Sequence, residues 1–187
     1  MPLIYIAVIA LAIIALQQHF HIKNFHVVET EILYTSGQPR GMDYTRLLYK
    51  YHIGTFINIR SAAEHREQNW YNEELIWMRK NGVNYIELPI EKRDLASGFP
   101  DAQTQKIFLE IMEDKSNLPV LIHDDSGRKR VARLAAVWMI SAGNYTIKDT
   151  SEKITKIKQQ SLTPREAGFL NAIYENSSSR STLPQKQ

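Results

Sequence analysis

Apolar and polar residues alternate along this chain in a pattern that predicts short strands separated by helices. Residues 55–59 (TFINI) and 83–90 (VNYIELPI) are predicted to be strands, and 118–123 (LPVLIH) is a continuous apolar run typical of a buried central strand. Between these runs, apolar residues recur every three or four positions, as they do on one face of a helix. The sequence therefore predicts an α/β fold with a mainly parallel central sheet and helices on both of its faces.

The pattern also predicts where the elements begin and end. Short strands are expected within Val27–Pro39, and residues 24–176 are expected to form one domain, followed by a polar, disordered tail at 177–187. Trp70, Tyr71, Trp77 and Trp138 are predicted to lie in the core or on half-buried helix faces. The predicted helices cover residues 42–53, 64–82, 101–114, 129–143 and 146–160, and a last helix begins at Thr163 and Pro164.

The first 23 residues are predicted to form a transmembrane anchor. Leu3–Leu16 is an uninterrupted run of fourteen apolar residues, and no charged side chain precedes Lys23. A helix over residues 2–22 would be about 31 Å long, enough to cross a bilayer, so contact with the membrane is expected through residues 3–22. A cleaved signal peptide, which would need a basic start, and a buried core helix are the alternatives. Lys23 and Arg40 follow the segment, which favours a cytoplasmic domain.

The amino-acid composition of the chain limits the binding partners and the catalytic chemistry that it could have. A net charge of +3 over 187 residues is too small to suggest a nucleic-acid partner. The sequence has no cysteine, which excludes disulfides, thiolate metal sites and thiol catalysis within it. His19, His21 and His26 lie close together after the apolar run, and we interpret them as interfacial side chains rather than as metal ligands. No metal or cofactor is predicted.

The stretch PVLIHDDSGRKRVA (Pro119–Ala132) has the pattern of a phosphate-binding loop. It passes from a buried strand through a polar loop into a helix, and such turns at the carboxyl ends of strands are favoured ligand sites. Gly127 lets backbone amides converge, the helix start attracts anions, and Arg130 can bind two oxygens at once. The alternative is an ordinary turn with solvated charges.

The loop VLIHDDSGRKR resembles the signature H-C-x5-R of the cysteine-dependent protein tyrosine and dual-specificity phosphatases, with Asp124 in the position of the cysteine. NFHVVETEILYTSGQP, HIGTFINIR, NGVNYIELPI and IFLEIMEDKSNLPVLIH resemble, in this order, segments of bacterial dual-specificity-like phosphatases. The resemblance covers about residues 24–144. Some of those proteins also have an N-terminal hydrophobic anchor, which implies a location in the bacterial inner membrane.

The resemblance implies roles for individual residues. Arg130 matches the arginine that holds the phosphoryl oxygens, and His123 matches the histidine before the nucleophile. Asp94 is the best match to the general acid and Glu91 the second choice, and the alternative of a solvated loop charge is favoured slightly for both. The rest of the phosphate loop is formed by Asp125, Ser126, Gly127, Arg128 and Lys129.

Several departures from the family pattern argue against catalysis. Besides Asp124, Val131 stands where the family has a hydroxyl and Ala132 where it usually has glycine. A laboratory inactivation would change one residue, so these departures together favour a natural loss. A carboxylate is a weak nucleophile toward phosphorus, and the D-x-D pattern of Mg²⁺-dependent aspartyl-phosphate enzymes is absent.

Asp124 is expected instead to accept the loop amides and to pair with Arg130, in the place of a phosphate. Its charge would also repel a phosphate by ~4 kcal/mol per charge pair at ~4 Å. The leading hypothesis is a membrane-anchored pseudophosphatase that acts through other membrane protein subunits. The alternatives are a phosphatase captured as an inactive variant and a module that binds phosphorylated ligands.

Two sets of basic residues are expected to form solvated faces, or surfaces for anionic lipid: Arg128, Lys129, Arg130 and Arg133, and Lys148, Lys153, Lys156 and Lys158.

Overall fold

A five-stranded sheet forms the centre of the fold in a computed structural model that describes residues 5–6, 21–66, 68–91 and 98–181. The strand order is β1-β2-β5-β3-β4. β1 runs antiparallel to β2, whereas β2, β5, β3 and β4 run parallel to their neighbours, so the predicted α/β sheet is mixed and mainly parallel. The strands are β1 (His26–Glu29), β2 (Leu33–Ser36), β3 (Thr55–Asn58), β4 (Asn84–Glu87) and β5 (Val120–His123).

Helices cover both faces of this sheet because the side chains of its central strand alternate between two apolar clusters. Val120 and Ile122 pack with α4, α5, α6 and α7, and Leu121 packs on the other face with α1 and α3. The helices are α1 (Met42–Tyr51), α2 (Ala62–His65), α3 (Asn69–Asn81), α4 (Ala102–Glu113), α5 (Lys129–Ser141), α6 (Ile147–Lys158) and α7 (Pro164–Ser181), with a 3₁₀ turn at Lys115–Asn117.

Helix α5 fixes the position of the loop that precedes it. Every residue from Arg130 to Ile140 is buried, and the helix packs against β2, β5 and helices α4, α6 and α7. The loop is therefore held between a fully buried strand and a nearly fully buried helix. The aromatic predictions are confirmed, since Trp138 is buried and Trp70, Tyr71 and Trp77 are half-buried.

The prediction of a single helix over residues 64–82 is wrong. The structure has two helices there, and the backbone leaves the helical conformation at Arg66 (φ −57°, ψ 128°) before α3 begins. Glu64 closes a capping box with Ser61, which fixes the start of α2, and the ring of His65 stacks on Tyr71 at 4.2 Å across the break. These local contacts accompany the interruption of an apolar period that spans both helices.

The two ends of the chain also differ from the predicted boundaries. Ile22, which was assigned to the predicted anchor of residues 1–23, packs in the domain core beside Tyr34 and Leu47. Helix α7 continues to Ser181, into the segment predicted to be a disordered tail, because Leu170 and Ile173 anchor it to the core. Within the described ranges, no helix is long and apolar enough to span a membrane. Most of the predicted anchor lies outside the described residues.

Candidate functional site

The loop between β5 and α5 leaves the carboxyl end of the central strand, where a ligand site was predicted. Gly127 adopts a positive φ of 67°, which glycine tolerates better than other residues. A Cβ at this position would lie 2.2 Å from the backbone nitrogen of Gly37. The neighbouring Ser126 pairs with Gly37 in an isolated β-bridge. Close approach of the loop to the end of β2 therefore requires glycine at position 127.

Asp124 lies at the base of the loop and is 2% exposed. Its Oδ1 accepts hydrogen bonds from the backbone N–H groups of Ser126 (2.9 Å) and Gly127 (2.5 Å). Its Oδ2 accepts a hydrogen bond from Nε of Arg130 at 3.1 Å. These are the contacts that the sequence predicted for Asp124. The carboxylate thus holds the convergent amides and the arginine that an oxyanion in this loop would use.

Arg130 is bound by protein oxygens at each of its three nitrogens. Besides Nε, Nη1 donates to Glu64 Oε2 (2.5 Å) and to the carbonyl of Ile90 (3.2 Å), and Nη2 donates to Glu64 Oε1 (2.8 Å). Burial alone would lower the pKa of Arg130, but the bonds from Glu64 and Asp124 outweigh it and raise the pKa. The guanidinium is therefore charged and paired with two carboxylates.

Glu64 belongs to the site but was not predicted from the sequence. Its side chain accepts hydrogen bonds from the Ser61 backbone and, in a two-pronged pair, from Arg130. Burial alone would raise the pKa of Glu64, but the bonds from Arg130 and Ser61 lower it overall. The signal in the sequence was the Ser61-x-x-Glu64 capping box, which marks a helix start. The pairing with Arg130, 66 residues later, left no local trace.

His123 and Glu74 lie behind the loop, both with no exposed side-chain surface. Glu74 accepts hydrogen bonds from Gln38, Tyr44 and Tyr85. The Nε2 of His123 lies 3.4 Å from Glu74 Oε1 without meeting hydrogen-bond geometry. Burial lowers the pKa of His123, so the imidazole is neutral near pH 7.

The remaining loop residues divide into exposed and structural positions. Asp125 is exposed and lies 3.6 Å from Nζ of Lys23. Ser126 is half-buried, and its carbonyl accepts a hydrogen bond from the side chain of Asn24. Arg128 and Lys129 are exposed at the start of α5. Of the two candidate general acids, Glu91 is exposed, and Asp94 lies outside the described residues.

The expectation of solvated basic faces is wrong at several positions. Arg133 Nε and Nη2 both donate to Glu166 Oε1, at 3.1 and 3.0 Å, and Lys158 pairs with Glu166 Oε2. Burial alone would raise the pKa of Glu166, but bonds from Lys158, Thr163 and Arg133 lower it to about 2. Lys153 is half-buried and donates to the carbonyl of Val28. Partners distant in the sequence thus let these cations be buried.

The loop places a carboxylate where its amides and arginine would hold an anion. The loop amides and Arg130 are already bound to Asp124, and the position after Arg130 is Val131, whose side chain is buried in the main apolar cluster. No group of three or more side chains suited to hold a metal ion occurs in the described part of the chain. The loop therefore presents a filled anion nest.

The sequence matches a family model described as the tyrosine phosphatase family over residues 20–162. The chain belongs to this family. The match includes the sheet, the loop between β5 and α5, and helix α6, so it covers the whole site of this tyrosine phosphatase family member. No curated protein sequence matches the chain.

Solved structures share the fold of this family member at low sequence identity. The core catalytic domain of the PP-IP phosphatase SIW14 from S. cerevisiae, in complex with citrate, is 17% identical with a TM-score of 0.64, covering 89% of this chain and 98% of that one. PTPMT1 in complex with PI(5)P is 18% identical with a TM-score of 0.64, covering 84% and 99%. TpbA from P. aeruginosa is 16% identical with a TM-score of 0.57, covering 83% and 91%.

Proposed function

We propose that this chain is a membrane-anchored pseudophosphatase: a tyrosine phosphatase family member whose nucleophile position is occupied by Asp124, and which acts through protein interaction in a membrane complex. The observation that carries the proposal is the filled loop. Asp124 accepts both loop amides and pairs with Arg130, so the protein's own carboxylate occupies the place of the substrate phosphate.

Electrostatics support the loss of substrate binding. Arg130 is paired with both Asp124 and Glu64, so an incoming phosphate would find two negative charges around one guanidinium. At ~4 Å and an effective dielectric constant of ~20, each pair of like charges costs about 4 kcal/mol, or about a thousandfold in affinity. Val131 supports the loss of catalysis, because valine has no hydroxyl to offer and a hydroxyl at this fully buried position would need a hydrogen-bond partner.

An activity assay on the full chain tests this proposal. The substrates are a phosphotyrosine peptide, a phosphoserine peptide and a phosphoinositide, each with and without Mg²⁺. We expect no turnover above that of Arg130→Ala, the matched background control. Turnover by the parent chain that Arg130→Ala abolishes would show that the chain is an active phosphatase.

A second function is favoured by the intact backbone of the loop: a phosphatase captured as an inactive variant. Gly127, Arg130 and the start of α5 are arranged to receive an oxyanion, and the fold is that of the phosphatase SIW14. Asp124→Cys and Asp124→Cys/Val131→Ser separate the two readings. The pseudophosphatase proposal expects both variants to remain inactive while folded, as checked by circular dichroism and urea unfolding. Robust turnover by either would favour the inactive-variant reading.

The anchor and the partner are tested separately. The apolar run Leu3–Leu16 supports the anchor, and we expect the full chain to stay in the membrane pellet after extraction with alkaline carbonate. Release into the supernatant would contradict it.

For the partner, we expect other membrane subunits to co-purify from detergent extracts in amounts comparable to the chain. The control variant Arg128→Gln, which alters only an exposed charge, should retain them equally well.

A further inference from the structure

A basic pocket lies beside the phosphatase-like loop and is separate from its anion nest. Its volume is about 650 Å³, and the side chains that line it come from the N-terminal segment, α1 and the end of α6. Among the described residues that line it are three full cations and two histidines, and none of them carries a carboxylate. The basic side chains of this pocket are His21, Lys23, His26, Arg46 and Lys50.

The pocket has hydrogen-bond donors as well as charge. Asn24 and Gln159 line it and bond to each other, with Gln159 Nε2 donating to Asn24 Oδ1 at 3.1 Å. His26 also lines the pocket, and within the described ranges its Nε2 has no hydrogen-bond partner although the atom is buried. Burial lowers the pKa of His26, so the ring is neutral near pH 7 and adds no charge to the pocket. One N–H of each amide side chain is used by Ser126 and Asn24, which leaves the second N–H of each for an oxyanion.

Within the described residues, Arg46 forms a mostly buried ion pair with Asp43, and Lys23 forms an exposed pair with Asp125. Asp43 Oδ1 lies 3.4 Å from Nη1 of Arg46, and Asp125 Oδ1 lies 3.6 Å from Nζ of Lys23. The Lys23–Asp125 pair is about half exposed on both sides, so solvent weakens it. Lys50 lies 5.3 Å from the ring centre of Tyr51, a contact that leaves its charge available to an anion.

We propose that this basic pocket binds a phosphate group, carried either by the headgroup of an anionic lipid or by a small soluble molecule. Lys23 and Lys50, whose side chains are exposed, provide most of the attraction, and the second amide N–H of each of Asn24 and Gln159 can donate to the phosphate oxygens. The pocket also touches the loop, since Asn24 donates to the carbonyl of Ser126 at 2.7 Å, and it touches the end of β2, where the carbonyl of Lys23 accepts from Gly37 N–H at 2.7 Å. A phosphate there would therefore bind next to the filled loop without entering it.

Lysine footprinting on the full chain tests the proposal. The chain is held in neutral phosphatidylcholine nanodiscs, and amine acetylation is read by mass spectrometry. One arm adds inorganic phosphate at constant ionic strength; a second replaces a fifth of the lipid with phosphatidic acid. We expect Lys23 and Lys50 to be protected in at least one arm, while exposed Lys80, on α3, stays unprotected. Protection by inorganic phosphate points to a soluble ligand, and protection by phosphatidic acid alone points to a lipid headgroup.

Matched variants make the result decisive. Each of Lys23→Gln and Lys50→Gln is expected to weaken binding of the protecting anion by about fivefold, and Lys80→Gln by less than twofold. Three outcomes would overturn the proposal: no protection in either arm, equal protection of Lys80, or protection confined to Lys129, which would place the phosphate on the loop. The last outcome would also contradict the filled-loop argument, whereas the first two would leave it intact.

Discussion

The effect of replacing Asp124 on the stability of the fold distinguishes a residue kept for structure from one kept for catalysis. Replacing it with alanine leaves the N–H groups of Ser126 and Gly127 and the Nε of Arg130 without their acceptor in a buried site. We expect Asp124→Ala to lower the free energy of unfolding by about 3 kcal/mol, measured by urea unfolding at pH 7. A residue kept for catalysis at the expense of stability would show the opposite sign.

A tetrahedral oxyanion should restore what Asp124→Ala removes. In the variant, tungstate can accept the two amides and pair with Arg130, and at about 100 times its dissociation constant it would add about 2.7 kcal/mol. The parent chain is the control, because its loop is already filled while the basic pocket is the same in both chains. Equal stabilisation of parent and variant would mean that Asp124 does not occupy the anion site.

The turn between β5 and α5 depends on a glycine for two reasons, and a second glycine separates them. Gly127 and Gly82 have similar positive φ values, 67° and 64°, but an added Cβ meets the backbone of Gly37 at position 127 and nothing within 4 Å at position 82. Gly82→Ala should therefore cost about 1 kcal/mol, the price of the backbone conformation alone. We expect Gly127→Ala to cost at least about 2 kcal/mol more in urea unfolding. Similar losses would show that the loop and the end of β2 separate easily.

The elements that could be predicted from the sequence are those encoded by local patterns. β5 was found because its apolar run is continuous, and the loop because Gly127 and Arg130 follow that run. The helix break near Arg66 was missed because the apolar period continues through it. Long-range partners were missed for a different reason: whether a charge is buried depends on residues far away in the chain. Glu64, which pairs with Arg130, is such a case.

Across the whole molecule, buried charges connect parts of the fold that apolar packing alone does not specify. Glu166 on α7 binds Arg133 on α5 and Lys158 on α6, so one carboxylate joins three helices. Arg133 also donates to the carbonyl of Gly98 at 2.9 Å, which extends the same cluster to the segment before α4. Stability of the fold should therefore depend on the ionisation of Glu166.

The sign of this dependence follows from the pKa of Glu166, which is about 2 in the folded chain against an ordinary value of 4.5. Between these two values the unfolded chain binds the proton and the folded chain does not, so stability falls as the pH drops from about 4.5 toward 2. Glu166→Gln removes this contribution. We expect the variant to lose about 3 kcal/mol at pH 7 and its stability to fall less steeply below pH 4.5, by up to about 1.4 kcal/mol per pH unit.

Urea unfolding at pH 7, 5, 4 and 3 measures both effects. Glu110→Gln is the matched control, because Glu110 pairs with Lys106 at 3.8 Å on the exposed side of α4 and should change stability by less than about 0.5 kcal/mol at any pH. If Glu166→Gln and the parent chain lose stability in parallel below pH 4.5, the carboxylate of Glu166 is not what ties α5, α6 and α7 together. In that case apolar packing around α5 would account for the helix layer by itself.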